Sequence, residues 1–186
     1  SKRSDDFFDL RIEELKSDKR QLWQDEIIAN LPDKQHLKIL DAGCGPGFFS
    51  VILSSLGHDV IGIDLTESMI QKADEIADIL DYDIDFRVMN AQELDFDDEE
   101  FDVVISRNLT WTLPDIEKAY KEWYRVLKKD GVILNFDADY GKVSLKEEMK
   151  SLGEEHSHNM MDSSLVKECD DIKQELEISK RRRPMW

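Results

Sequence analysis

The chain has 186 residues, 40% of them hydrophobic and 36% charged, with two cysteines and a formal net charge of −17 at pH 7. That length suits one domain with its own core rather than two. The acidic balance argues against nucleic acid as a partner, because phosphate binding rests on a basic face. The two cysteines, Cys44 and Cys169, are too few for a disulfide framework and lack metal-ligand spacing, so a reducing cytoplasmic setting and no metal are expected. No apolar run is long enough for a bilayer, and no leader-type segment is read at the N-terminus, so no membrane association is expected.

Residues 1–32 read as helical. Ser4 before Asp5 and Asp6 suits a capped first turn, and Ser17 or Asp18 can cap a second helix through Trp23, Ile27 and Ile28, which Pro32 ends. The short apolar run Leu37-Lys38-Ile39-Leu40 then stops at the glycine cluster Gly43-Cys44-Gly45-Pro46-Gly47. An apolar helix over 48–56 follows, with Gly57 as its natural stop. Residues 59–64 read as a strand and 66–80 as a helix capped by Thr66, with Glu67 in its first turn. Strands are predicted over 84–89 and 101–106. Asp115 opens an amphipathic helix through Ile116, Ala119, Tyr120, Trp123 and Leu127, and Lys128-Lys129-Asp130-Gly131 reads as its basic end with a glycine stop. A fifth strand is predicted over 132–136. Strand and helix in regular alternation predict an α/β fold: a doubly wound, mostly parallel, Rossmann-like sheet in three α/β/α layers, with about five strands readable. Beyond Tyr140 the pattern becomes polar and helical, without a convincing further strand.

The informative segment is Leu40-Asp41-Ala42-Gly43-Cys44-Gly45-Pro46-Gly47. A buried strand delivers the chain to a turn where glycines let backbone approach a ligand, and the helix that follows offers N–H groups at its start. Asp64 ends the next strand, the position from which a carboxylate can accept from ribose hydroxyls. A dinucleotide fingerprint, Gly-x-Gly-x-x-Gly, wants glycine where Phe48 stands, which demotes an NAD-dependent oxidoreductase to a weaker alternative.

The spacing Asp41-x-Gly43-x-Gly45-x-Gly47 resembles motif I of class I S-adenosylmethionine-dependent methyltransferases. Val60-Ile61-Gly62-Ile63-Asp64-Leu65 resembles motif II, Asn90-Ala91-Gln92-Glu93-Leu94 the adenine-edge segment, and Phe101 through Asn108 motif IV. Tyr124-Arg125-Val126-Leu127-Lys128-Lys129-Asp130-Gly131-Val132 resembles the helix-to-fifth-strand segment of the methyltransferase 11 group. Five such segments in order cover about residues 37–138. The resemblance implies an S-adenosylmethionine-binding Rossmann-like core over 33–140, flanked by a helical lid over 1–32 and a helical segment over 141–186 of the same domain. It implies Asp41 near the methionine amino group, Gly43, Cys44 and Gly45 as backbone contacts, Asp64 and Leu65 at the ribose, Asn90, Ala91 and Gln92 at the adenine, and Arg107 at the end of motif IV. S-adenosylhomocysteine would be the product.

The function implied is methyl transfer to an unidentified small-molecule acceptor. The alternative is cofactor binding without catalysis, because the family sheet has seven strands and the C-terminal hairpin that shapes the acceptor side is not readable here. The exposed edge of a fifth strand would then be covered by the helices after Ser144 or by a second copy, as a homodimer. No catalytic base is identified; Asp137, Asp139 and Tyr140 are candidates by location only. Trp111 suits either the acceptor pocket or packing, and Phe7, Phe8 and Arg11 either a lid or the core. The acidic run from Asp95 to Glu100 reads as a solvated loop, and His156 and His158 as solvated side chains rather than metal ligands.

Overall fold

A computed structural model describes Leu15 and residues 17–137. These form helices α1 (Asp18–Asn30), α2 (Phe48–Ser55), α3 (Glu67–Ile79) and α4 (Ile116–Val126). The strands are β1 (Lys38–Ala42), β2 (Asp59–Asp64), β3 (Asp85–Val88), β4 (Phe101–Arg107) and β5 (Leu127–Phe136). The strands make one sheet in the order β3-β2-β1-β4-β5, with every pair parallel. This is the doubly wound architecture that the alternation predicts. The strand order reverses between β1 and β4, so the crevice at the carboxyl ends of these two strands is where such folds hold ligands.

Alternation along the buried strands divides the apolar residues between two faces. Ile39, Val60, Val103 and Ile105 join Ile27 of α1, Phe48 to Leu53 of α2 and Ile76 of α3 in one core. Leu40, Ile61, Ile63 and Val104 join Ala119, Trp123 and Val126 of α4 in the other. Helix ends follow their capping chemistry. Ser17 accepts from the Lys19 N–H, Asp115 accepts from the Lys118 N–H at 3.0 Å, and Gly57 takes a left-handed φ of 86° after α2. Thr66 precedes α3 as expected, yet its hydroxyl makes no capping bond. The Thr66 N–H donates to Asp64 Oδ1 at 2.8 Å, a local turn that fixes the entry to α3 without capping it.

One expectation is corrected by the fold. The segment 128–131 is not a helix end with a glycine stop: β5 already begins at Leu127, and its register on β4 jumps from Phe101↔Leu127 to Val103↔Val132. The extra residues form a bulge. Gly131 is required there by crowding, because a Cβ would lie 2.8 Å from Leu127 Cδ2 and 2.9 Å from the Asp102 carbonyl oxygen. The acidic loop after β3 is exposed at Asp95, Asp97, Asp98 and Glu99, as a solvated loop is, and is also anchored to α4. Arg125 of α4 donates to the carbonyls of Leu94 (2.9 Å) and Phe96 (2.8 Å) and pairs with Asp98 (2.7 Å) and Glu122 (2.9 Å).

At the amino ends of the strands Asp102 is a second anchor. Its carboxylate accepts from Lys34 (2.8 Å), Lys128 (2.9 Å) and the Lys38 N–H (2.9 Å). Burial pushes this carboxyl upward, but those three donors outweigh it and hold it far below the usual carboxylate range. Among the described residues β5 pairs only with β4, leaving its other edge without a strand neighbour. The helical segment expected after Ser144 lies outside the described residues, as do Phe7, Phe8, Arg11, Asp139, Tyr140, His156, His158 and Cys169. No described helix is long and apolar enough to cross a membrane, and no described group of side chains has metal-site geometry.

Candidate functional site

The crevice is built first by the turn after β1. Gly43, Gly45 and Gly47 all have left-handed φ, at 71°, 52° and 80°, a run that L side chains would resist. The N–H groups of Gly43 and Cys44 both donate to the Ile63 carbonyl, at 2.8 and 2.9 Å, and so lash the turn to the end of β2. The Gly45 N–H donates to Asp64 Oδ2 at 3.1 Å. Asp64 therefore joins the glycine loop to the start of α3, through Gly45 on one oxygen and Thr66 on the other. A carboxylate offers about four acceptor positions, so capacity remains for a ligand. The loop is open at Gly45, where a Cβ would meet nothing within 4 Å, and the neighbouring Leu65 is 70% exposed.

Asp41 is placed differently from what a ligand contact would lead one to expect. It is 2% exposed and accepts from the Ser50 hydroxyl at 2.6 Å and from the Ser50 N–H. One of the N–H groups expected to be free at the start of α2 is thus already engaged from behind the loop. Burial pushes the Asp41 carboxyl up to about 7, aided by the nearby Asp64 charge, while Ser50 and Arg107 hold it down. Burial, with Asp41 and Asp64 adding to it, also pushes the Cys44 thiol well above its usual range. A buried thiol so placed serves to fill space.

The segment after β3 is set by polar bonds. The Met89 N–H donates to the Asp64 carbonyl at 3.0 Å, which brings Asn90 to the rim beside β2. Asn90 Oδ1 accepts from the Gln92 N–H at 3.0 Å, closing a tight turn. The Ala91 carbonyl accepts from Trp123 Nε1 at 2.9 Å, and Gln92 Oε1 accepts from the Asp115 N–H at 2.8 Å. Both bonds tie this turn to α4. On the far side of the crevice, Arg107 ends β4 with its guanidinium carbon 4.5 Å from the Trp23 ring centre, 4.9 Å from Phe48 and 5.5 Å from Phe49. Trp23, Phe49 and Phe136 stack edge to face around it, with centroids 5.2 to 5.7 Å apart.

All the predicted residues thus lie along the carboxyl rim of β1 to β4, although Asp41 sits behind the loop rather than at its open side. Asp137, a candidate base by location, accepts from the Leu109 N–H (2.9 Å), the Thr110 N–H (3.0 Å) and the Thr110 hydroxyl. Trp111 is half-buried in the 3₁₀ turn Thr110–Thr112 on this rim. Three contributors escape a reading of the sequence. Ser50 is the partner of Asp41, and its one signal is a hydroxyl inside an otherwise apolar run. Phe86 of β3 fills the space left by two glycines, since a Cβ would fall 2.5 Å from its ring at Gly62 and 2.9 Å at Gly47. A glycine inside a strand is the available signal for such a close approach. Leu109 packs on Gly43, where a Cβ would lie 2.7 Å from its Cδ1, and nothing in the sequence marks it.

Comparison with known proteins agrees with this geometry. The pattern of the family described as "Methyltransferase domain" matches residues 40–135, more than half of the chain. The chain is 34% identical over 134 residues to the ubiquinone/menaquinone biosynthesis C-methyltransferase UbiE of Rickettsia prowazekii, covering 68% of this chain and 54% of that protein. Among solved structures, the PH0226 protein of Pyrococcus horikoshii is 33% identical with a TM-score of 0.58, covering 77% of this chain and 62% of that one. The YcgJ protein of Bacillus subtilis is 29% identical with a TM-score of 0.59, covering 61% and 49%. The chain spans about half the length of the curated relatives it matches, 46 to 54% of the first three.

Proposed function

The chain belongs to the Methyltransferase domain family of class I S-adenosylmethionine-dependent methyltransferases, and from that premise we propose that it binds S-adenosylmethionine over the glycine loop and transfers its methyl group to a small molecule. The observation that carries the proposal is the tie between Asp64 and the Gly45 N–H beside an open stretch of the loop that leaves β1, the strand next to which the order reverses. The donor set fits the ligand. The remaining acceptor positions of Asp64 suit ribose hydroxyls, and the exposed Leu65 suits an apolar ring face. Asn90, Ala91 and Gln92 form a turn already fixed by α4, where a base edge can meet backbone and amide groups. Gly43, Cys44 and Gly45 offer close backbone approach, Asp41 stands behind the loop as a buried polar group, and Arg107 supplies a positive charge beside it. Phe48, where a dinucleotide loop needs glycine, is only 3% exposed, its ring built into the core.

When bound, S-adenosylmethionine supplies an electrophilic methyl and an excellent leaving group, with S-adenosylhomocysteine as product. The work left to the chain is to hold the sulfonium region in line with the acceptor and to exclude water. Positioning of this kind is worth roughly 7–11 kcal/mol of a barrier. No proton-abstracting role is assigned to Asp137, since its carboxylate already serves three donors. The relatives named for ubiquinone and menaquinone biosynthesis support an acceptor that is a small molecule. A cytoplasmic setting, and a second copy as one cover for the free edge of β5, belong to the same proposal.

The test is calorimetric titration of the chain with S-adenosylmethionine, S-adenosylhomocysteine and, separately, NAD. The two sulfur ligands are expected to bind and NAD to give no heat. Asp64→Ala should weaken binding about 10- to 100-fold, from lost hydrogen bonds to a charged group and a loosened Gly45. Binding of NAD, or affinity unchanged in Asp64→Ala, would overturn the assignment.

A further inference from the structure

We infer that Asp137 is a positioning residue that sets the glycine loop through Leu109, so that the rim of β4 and β5 and the proposed cofactor loop move as one unit. The chain leaves β4 at Arg107 and reverses at Asn108, whose φ is +55°. Four donors in the next three residues are then claimed by the end of β5. The Asn108 N–H donates to the Phe136 carbonyl at 3.0 Å. The Leu109 N–H donates to Asp137 Oδ1 at 2.9 Å, the Thr110 N–H to Oδ2 at 3.0 Å, and the Thr110 hydroxyl to that same oxygen. Thr112 closes the turn, its N–H and hydroxyl meeting the Leu109 carbonyl at 2.9 and 2.7 Å.

A short turn usually finds its capping acceptor within a few residues along the chain. Here the acceptor arrives from a different strand, 27 and 28 residues later. The consequence is where Leu109 is held. Its branched end occupies the place of a Gly43 side chain, with Cδ1 and Cδ2 only 2.7 and 2.8 Å from where a Cβ would stand. Gly43 is bound on its other side by the Ile63 carbonyl of β2. The loop is therefore gripped between β2 and a leucine whose backbone hangs from β5.

The Asp137 carboxylate thus meets three donors from one turn, with the Asn135 amide 3.5 Å away as a fourth neighbour, an arrangement that fixes the turn in place. Asp137→Asn keeps the volume but turns one acceptor oxygen into a donor facing another N–H. Leu109→Ala keeps the turn but removes the contact with Gly43. The effect on ligand binding rests on the cofactor reading above; the effect on the loop does not. In the ligand-free full chain, both substitutions should shift the amide resonances of Gly43 and Cys44 and speed their hydrogen exchange, while those of Ile39 and Ile61 stay in place. Affinity for S-adenosylhomocysteine should fall about tenfold in each variant, within the usual span of coupling between sites. The double variant should be little weaker than either single one, because both act through one contact.

Loop amides unmoved in Leu109→Ala, or losses that add in the double variant, would overturn the inference, and Leu109→Ala decides it even if Asp137→Asn folds poorly. A wild-type chain that binds no S-adenosylhomocysteine would sink the cofactor reading alone, since the ligand-free amides still report whether Asp137 reaches the loop.

Discussion

Asp41→Asn offers the most demanding test of the site's electrostatics. The wild-type carboxyl is buried to 2% exposure and raised from its ordinary 3.8 to about 7, chiefly by burial. In the unfolded chain it ionises near its ordinary value. Between those two points the folded state keeps a proton that the unfolded state has lost, so stability falls as pH rises. The contribution is complete below about pH 4 and is lost as pH passes through 7. A tenfold change in proton affinity corresponds to about 1.4 kcal/mol, so the rise from 3.8 to about 7 amounts to about 4 kcal/mol by pH 8. Asparagine does not titrate, and its carbonyl can still accept from the Ser50 hydroxyl and N–H. The ligand-free variant should therefore lie within about 1 kcal/mol of the wild type near pH 4.5 and exceed it by up to about 4 kcal/mol at pH 8.5. Urea unfolding at half-unit pH steps reads this difference, and titrations shared by both proteins cancel in it. At a slope of about 2 kcal/mol/M the midpoint should move by about 2 M at the alkaline end. A difference that does not change with pH, or a variant less stable at pH 8.5, would refute the reasoning.

Asp102→Asn should behave in the opposite sense. The carboxyl of Asp102 is depressed, so its stabilisation is present above its ordinary value of 3.8 and is lost as pH falls below that. At pH 7 the substitution should cost about 1–3 kcal/mol, discounted because Lys34 and Lys128 are half solvated, and the difference should close as pH falls below 4 in thermal melts. Gly62→Ala would place a Cβ 2.5 Å from the Phe86 ring and should destabilise the chain by about 1–3 kcal/mol. Phe86→Leu should recover much of that loss when combined with it, and simple additivity in urea unfolding would refute the slot described for that ring.

The architecture was largely legible because it rests on local signals. Apolar runs at β1, β2 and β4 are long enough to be buried on both faces, and Ser17, Asp115 and Gly57 cap or stop helices by chemistry that acts within a few residues. The glycine loop was legible for the same reason, since three left-handed residues in five strongly favour glycine. The bulge over 128–131 was not. Lysine, aspartate and glycine there look like a helix end, and only pairing with β4 and the crowding around the Asp102 carbonyl turn them into strand.

Membership of the Methyltransferase domain family was likewise written in motif order along residues 40–135. What the chain alone could not disclose is how those motifs brace one another. Asp41, read from the motif as a ligand residue, is also tied to Ser50, nine positions on, because burial leaves it no water and the start of α2 offers donors. Phe86 and Leu109 reach glycines 24 and 66 positions away only once the parallel sheet sets β3 beside β2 and β4 beside β1. Sequence settles whatever depends on backbone freedom and near neighbours. Contacts across many residues of separation exist only when the sheet brings their partners together, and tertiary structure alone decides those.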